Sequence, residues 1–363
     1  MGLQKLILNF VLTIEAFFLQ ILKIKNNRIT FISLESDVLT SDSKLIYDML
    51  DKKKYDIQLC LIKYHKNLSG QFLYFLNCMK QLYYVYTSKL IIISNNNYVV
   101  SHFKRDGVKV LQLWHACGAI KKFGNSIQRE YTVSGYDYVI STSDFWKDAY
   151  GEAFDVELDN VINTGMPRND ELFNKDKVLK YKENLLEKYP SLKNKKIILY
   201  APTFRGNVYK GFRNVEFDAL KVIHNLGEDY VLLYKFHPLL GNIELDKHPR
   251  IINMNHEDTH QLFCLSDYLI SDYSSIVFDY MILQKPILFY IPDYEEYMED
   301  IGVFLEIEDL KCPICKNESD VINTILNKFS DHSSLDYLKN VFFDYQDGNS
   351  TQRIVDFIYN IVE

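Results

Sequence analysis

Glycine and proline are scarce in this chain, 14 and 8 of 363 residues, too few for a disordered or low-complexity protein. A basic surplus is missing too. The formal net charge is −7, whereas binding along a phosphate backbone needs an excess of Lys and Arg, so nucleic acid is not expected as the main partner. No small-residue cleavage site follows the first apolar run, which argues against a secretory signal. That run, residues 3–24, is interrupted by Lys5, Asn9, Glu15 and Gln20. A spanning helix needs about 20 apolar residues with few charges, and Glu15 falls near the middle. Of the six cysteines (Cys60, Cys78, Cys117, Cys264, Cys312, Cys315), only Cys312 and Cys315 have metal-ligand spacing. No second pair completes a zinc site, so a structural turn is the favoured reading and a redox role the alternative.

What the chain does have is aromatic bulk, 27 Tyr and 23 Phe. Its apolar fraction of 47% and charged fraction of 25% are those of a globular protein, and its length suffices for two domains with separate cores. Residues 1–25 form a first segment, an apolar helix expected to lie in a membrane interface with Lys5, Lys23 and Lys25 near headgroups. Packing against the protein's own core is the alternative. Gln71 to Lys89, rich in Phe, Tyr and Lys, is a second candidate membrane edge, which buried helix packing explains equally.

From Arg28 onward strands and helices alternate. Strands are expected at Ile29–Leu34, Tyr55–Ile62, Leu90–Ser94, Val108–Trp114, Tyr136–Ser141 and Val161–Thr164, then at Lys196–Ala201, Tyr230–Phe236, Arg250–Met254, Tyr268–Ser271 and Pro286–Tyr290. A charged helix, Asp170 to Lys188, stands between the two series. The alternation predicts an α/β fold of two Rossmann-like domains facing a cleft, 26–185 and 186–345, with a C-terminal helix over 346–363 that can pack back on the first. Ligands of such sheets bind beyond the carboxyl ends of the strands.

The residues at those ends carry the chemistry. In Ser266–Tyr290 a buried strand runs into a turn with Ser271, Asp272, Ser274 and Ser275, then a helix bearing Asp279. Ser274 or Ser275 is placed to cap that helix, whose start is a seat for phosphate. An ordinary βαβ unit explains the same pattern. His115 stands where a strand stops, in a position for general base. Gly118, Lys121 and Lys122 follow it as an anion-handling turn. Asn169 or Asp170 is placed to cap the charged helix, and Arg168 reads as a surface salt bridge, with an anion contact as the alternative. Thr203 and Arg205 follow the first strand of the second series. His237 mirrors His115 at a strand end of the second domain, where it can bind a diphosphate.

Six motifs in order, Trp114-His-Ala-Cys-Gly118 with Lys121-Lys122-Phe-Gly124, Gly165-Met-Pro-Arg-Asn-Asp170, Ala201-Pro-Thr-Phe-Arg205, Lys235-Phe-His-Pro238, Ser271-Asp-Tyr-Ser-Ser275 with Phe278-Asp279, and Asp347-Gly-Asn-Ser-Thr-Gln-Arg353, resemble the CDP-glycerol glycerophosphotransferases of teichoic-acid synthesis. They cover about residues 110 to 355. The resemblance implies a GT-B-like fold and transfer of glycerol phosphate from CDP-glycerol to a hydroxyl of an undecaprenyl-diphosphate-linked saccharide or polymer. The site would be the cytoplasmic face of the cell membrane, with the protein held peripherally and CMP released. By motif position His115 looks like the base; His237, with a catalytic role, Ser274, Ser275 and Arg353 look like ligands of the donor diphosphate. Asp279 looks like a donor hydroxyl contact, and Thr203 and Arg205 belong to the donor side. No cofactor or resident metal is expected, and a homo-oligomer is compatible. The sequence departs from the family at Ala116-Cys117, where Gly-Thr is common, which touches the local turn and the acceptor preference. A CDP-ribitol or other CDP-polyol donor, a nucleotide-sugar glycosyltransferase, and a non-enzymatic binding module stand as alternatives.

Overall fold

Alternating strands and helices build two parallel sheets of six strands each. The computed structural model describes residues 3–39, 41–65, 67–207, 211–237, 240, 243–300, 302–327 and 332–363. One unit takes Met1–His115, Phe123–Asp170 and Asn349–Glu363, and the other takes Ala116–Lys122 and Glu171–Gly348.

The first unit runs α1 (Leu3–Leu19), β1 (Lys25–Ser33), α2 (Ser41–Met49), β2 (Asp56–Leu61), α3 (Leu68–Thr87), β3 (Ser88–Ile93), α4 (Tyr98–Phe103), β4 (Lys109–Gln112), β5 (Tyr138–Ser141), α5 (Lys147–Phe154) and β6 (Val161–Asn163), and the helix Ser350–Val362 belongs to it. Its strands lie in the order β2-β1-β3-β4-β5-β6, all parallel. Leu90, Ile91, Ile92 and Ile93 are all buried, the continuous apolar run expected of a strand covered on both faces. The strand order reverses between β1 and β3. That switch point is where an open α/β sheet leaves a crevice for ligand.

α1 ends at Leu19, five residues short of the apolar run. Leu8, Leu12 and Ala16, four residues apart, are buried on one stripe, while Leu6, Phe10, Phe17 and Phe18 are exposed on the other side. α3 repeats the division: Cys78, Leu82 and Val85 are buried, whereas Leu68, Phe72 and Leu73 are exposed. Packing against the protein's own core, the alternative reading, therefore holds for one face of each helix, and the other face is exposed and apolar. Among the described residues no helix is long and apolar enough to cross a membrane.

The C-terminal helix is tied down by Asp170. Its carboxylate accepts from the backbone N–H of Ser350 (2.8 Å) and Thr351 (2.9 Å) and from Thr351 Oγ1 (2.7 Å), satisfying donors that a helix start leaves unpaired. Asp170 thus caps this helix and not the charged one. Gly165 makes the approach feasible: its φ is +81°, and a Cβ there would stand 2.3 Å from Ser350 Oγ.

The second unit contains α6 (Lys175–Lys188), β7 (Lys196–Tyr200), β8 (Arg205–Asn207), β9 (Gly211–Arg213), α7 (Ala219–Leu226), β10 (Tyr230–Tyr234), β11 (Ile251–Asn253), α8 (Thr259–Leu265), β12 (Tyr268–Ser271), α9 (Ile276–Met281), β13 (Ile287–Tyr290), α10 (Tyr294–Asp300), β14 (Ile314–Cys315), α11 (Glu318–Leu326) and α12 (His332–Phe342). The sheet order is β11-β10-β7-β12-β13-β14, with its reversal between β7 and β12. α6 starts later than expected, because Asn174 is its cap and accepts from the N–H of Asp176 and Lys177. Residues 167–171 form a separate 3₁₀ turn. The antiparallel β8–β9 hairpin and β14 escape the sequence reading, being too short to show a period. Cys315 lies on β14 beside Tyr290. Both it and Cys312 are buried, and among the described residues no cluster of His, Cys, Asp or Glu could hold a metal ion.

Candidate active site

In the first unit, the switch point collects the loops that follow β1, β3 and β4. A small cavity of about 70 Å³ is lined there by Ser33, Asp42, Ser94, Asn95, His115 and Arg168, among others. His115 sits three residues past β4. Before it, Trp114 adopts φ +58°, a left-handed conformation that costs a non-glycine residue free energy and clusters at functional sites. Three contacts hold that turn. The Trp114 N–H donates to Gln112 Oε1 at 2.9 Å, the indole stacks on Phe123 (4.8 Å, 17°), and the imidazole lies over the indole with centroids 3.9 Å apart.

His115 Nδ1 is 3.3 Å from the carbonyl oxygen of Ser94. A carbonyl can only accept, so this contact puts the proton on Nδ1 and leaves the lone pair on Nε2. The backbone carbonyl of His115 accepts from Arg168 Nη1 at 3.1 Å. Arg168 in turn pairs with Asp42 (3.3 Å), whose other carboxylate oxygen takes the Arg168 N–H at 2.8 Å. Asp42 is buried, so this ion pair is an internal strut and not the surface bridge expected from sequence. Arg353, on the C-terminal helix, donates to the Thr164 carbonyl at 3.2 Å, also within the first unit.

The second unit gathers its motifs at its own switch point, after β7 and β12. Asp272 is the hub. It accepts from the Thr203 N–H (2.8 Å) and from Arg205 Nη1 (2.7 Å). Burial pushes its carboxyl up while the guanidinium pulls it down. Arg205 also grips Asp293 through Nε (2.6 Å) and Nη2 (3.1 Å) and donates to the Thr203 carbonyl. Its guanidinium lies 5.1 and 5.0 Å from the stacked rings of Tyr273 and Tyr297. The Arg205 side chain, which sequence assigns to the donor, is thus buried and engaged with two carboxylates.

Phe204, between Thr203 and Arg205, joins two further expected residues. Its ring meets His237 edge-on at 5.0 Å and lies 5.1 Å from the Lys121 ammonium. Burial pushes Lys121 below the ordinary lysine range, against the pull of Asp272. The turn that bears it is held by a bridge between Lys121 and Val303 and by the Lys122 N–H donating to the Gly302 carbonyl (3.2 Å). Gly118 is buried in the same turn. His237 is exposed, three residues past β10; Pro238 of its motif lies outside the described residues.

Ser274 and Ser275 are half-buried, and Ser275 stands at the start of α9 without a side-chain capping bond. The expected serine cap is therefore not formed at Ser275, whose own backbone is already helical. Asp279 is buried. Its Oδ1 accepts from the Cys117 thiol at 2.9 Å and faces His260 Nε2 at 3.7 Å. Sequence reasoning missed His260, Asp42 and the Ser94 carbonyl. The first two carry no local signal, whereas the switch-point rule would have pointed to the loop holding Ser94.

Comparison with known proteins bears on the family and the fold. A family model described as CDP-glycerol:poly(glycerophosphate) glycerophosphotransferase matches residues 14–360. The chain is 32% identical to a teichoic acid poly(ribitol-phosphate) polymerase of Bacillus spizizenii over 93% of its own length, and it spans 57% of that protein. It is 30% identical to the teichoic acid glycerol-phosphate primase of Bacillus subtilis, with 97% of each chain covered. Among solved structures it resembles a variant of the wall teichoic acid polymerase TagF soaked with CDPG, with a TM-score of 0.75 and 22% identity over 99% of this chain and 97% of that one. The two-sheet architecture is accordingly GT-B-like.

Proposed function

The chain belongs to the CDP-glycerol:poly(glycerophosphate) glycerophosphotransferase family, and from that premise we propose that it transfers a polyol phosphate from a CDP-activated donor to a hydroxyl of a lipid-linked saccharide or polymer, releasing CMP. The pathway is teichoic-acid or related surface-polymer synthesis. Glycerol phosphate is the first choice of transferred group and ribitol phosphate the second, since relatives named for each stand at nearly equal identity.

The observation that carries the reading is the orientation of His115. With its proton held toward Ser94, its Nε2 is set to take the proton of an acceptor hydroxyl. The acceptor oxygen then bonds to the phosphorus nearest the polyol. The bond from that phosphorus to the bridging oxygen breaks, and CMP leaves with the electron pair. No covalent enzyme intermediate is needed, so the protein's task is positioning and stabilising charge. His237, Ser274, Ser275, Lys121 and Arg353 are the donors we assign to the diphosphate, with Lys122 and Gly118 shaping the turn. Thr203 and Arg205 act through Asp272 to fix the loop that carries Phe204. Asp279 is assigned to a donor hydroxyl, with Cys117 orienting its carboxylate.

We further assign the exposed faces of α1 and α3 to the cytoplasmic membrane surface. Replacing Phe10 and Phe72 by serine should abolish sedimentation with anionic vesicles while the fold, read by circular dichroism, persists. Unchanged sedimentation would remove this assignment.

The transferase itself is tested by CMP release from CDP-glycerol and, in parallel, CDP-ribitol with a lipid-linked disaccharide, sizing products by mass spectrometry. Release with one donor identifies the polyol, and a ladder of products identifies a polymerase. No release with either, alongside release of UDP from a UDP-sugar, would overturn the reading.

A further inference from the structure

A second cavity of the first unit, about 460 Å³, opens between α1, α3 and the loop around Tyr131, a size usual for small-molecule sites. Its wall is mostly apolar or aromatic, with Ile7, Leu8, Tyr74 and Phe75 prominent. Lys5 is the cation within it. The ammonium lies 5.4 and 5.8 Å from the rings of Tyr98 and Tyr131 and donates to the Glu130 carbonyl at 3.4 Å. Glu130 also lines the space. One wall belongs to α1 and α3, whose outer faces are the exposed apolar surface described above. The opposite limit is set by Leu34 and Asn96, and their sequence neighbours Ser33, Glu35 and Asn95 line the pocket of His115. The two loops that follow β1 and β3 thus form a partition with the apolar cavity on one side and the candidate base on the other.

We propose that this cavity holds the hydrocarbon chain of the lipid-linked acceptor next to its phosphate, and so delivers the acceptor's head to His115. The inference rests on the transferase reading given above. Three features point to this occupant. The cavity adjoins the surface assigned to the membrane, so a chain can enter from the bilayer without crossing water. Lys5 supplies a positive charge where the first phosphate of such a lipid would stand, and the faces of Tyr98 and Tyr131 hold the ammonium in place. The shared loops place the far side of the cavity beside the base, where a head group must arrive to react.

The test uses the full chain and a water-soluble probe, geranyl monophosphate, with binding read by calorimetry below its aggregation concentration. One site per chain is expected. Lys5→Gln should weaken it at least tenfold, and Gln71→Trp, which fills the cavity from an exposed helix position, should do the same. Inorganic phosphate should not displace the probe. Absence of saturable binding, displacement by inorganic phosphate at equal concentration, equal displacement by dihexanoyl phosphatidic acid, or wild-type affinity in both variants would each overturn the proposal. A separate arm measures CMP release. Both variants should match wild type with a soluble, lipid-free acceptor but show at least a fivefold higher KM for the lipid-linked one. If wild type releases no CMP with either acceptor, the transferase reading fails, and the calorimetry still reports on the cavity by itself.

Discussion

His115 Nδ1 lies 3.3 Å from the carbonyl oxygen of Ser94, so a backbone group that no point substitution removes sets which imidazole nitrogen carries the lone pair. Ser94 immediately follows β3 and His115 stands three residues past β4, and these strands are hydrogen-bonded neighbours in register. The proposed base is therefore positioned by the sheet. His115→Ala should lower kcat for CMP release by roughly 10²–10⁴-fold, the usual contribution of a positioned proton acceptor, with little change in donor KM and an unchanged circular dichroism spectrum. A full-rate His115→Ala enzyme would exclude it as the base.

Arg168 supports the same turn from behind. It bridges buried Asp42 and the His115 carbonyl, a planar donor serving two acceptors, which the point charge of lysine does not reproduce. Arg168→Lys should keep the fold but lower kcat about tenfold, roughly 1.4 kcal/mol of transition-state stabilisation. Donor KM should stay close to wild type, whereas a residue binding the donor directly would raise it.

Arg205 gives the opposite pattern. Its guanidinium sits between Asp272 and Asp293 in a buried setting, and removing one partner of such a network leaves uncompensated charge. Arg205→Ala should destabilise the protein by about 3–5 kcal/mol, seen as a lower urea midpoint, with donor affinity falling as a consequence. A variant with the wild-type midpoint and weakened donor binding would instead show that Arg205 contacts the donor directly.

Much of this was legible in the sequence because strand periodicity and strand-end polarity are local signals. Eleven of the twelve strands of the two six-stranded sheets fall where the apolar runs lie, and His115, Thr203, Arg205 and His237 stand at or near strand ends as expected. What escaped is tertiary. Whether Asp170 caps the next helix or one 180 residues later depends on which N–H groups the fold brings to it. Whether Arg205 meets a substrate or Asp293 depends on a contact across 88 residues. A periodic pattern also cannot divide an all-round apolar helix such as α1 into a buried stripe and an exposed face, because both stripes carry the same residue types.

Asp170 permits a clean stability test, since its carboxylate collects three donors from Ser350 and Thr351. Asp170→Ala should cost about 1–2 kcal/mol, the upper range for a helix cap. Amide exchange should accelerate in the first turn of the C-terminal helix before it does elsewhere. Asp170→Asn, which keeps an acceptor oxygen, should fall between wild type and alanine. Equal exchange in all three would mean that packing, such as the stacking of Tyr359 on Tyr55 (5.2 Å, 15°), holds the helix unaided.

Glu15 sits on α1 next to the inward stripe, half-buried, with Oε2 lacking a hydrogen-bond partner. Burial pushes its carboxyl from 4.5 up to about 7. Between those two values the native state retains a proton that the unfolded chain has released, so stability contributed by this group falls as pH rises through the window. Above it the native state carries a desolvated carboxylate. Glu15→Gln removes that titration, so the variant should match wild type near pH 4.5 and exceed it at pH 8. After allowance for the solvent that still reaches the group, the gain is on the order of 1 kcal/mol, or about 2 °C in Tm. The check is the difference between the two melting curves across pH 4.5 to 8. A difference that does not grow with pH would place the Glu15 carboxylate in contact with water or a cation, and would remove the buried acid from the account of how α1 packs.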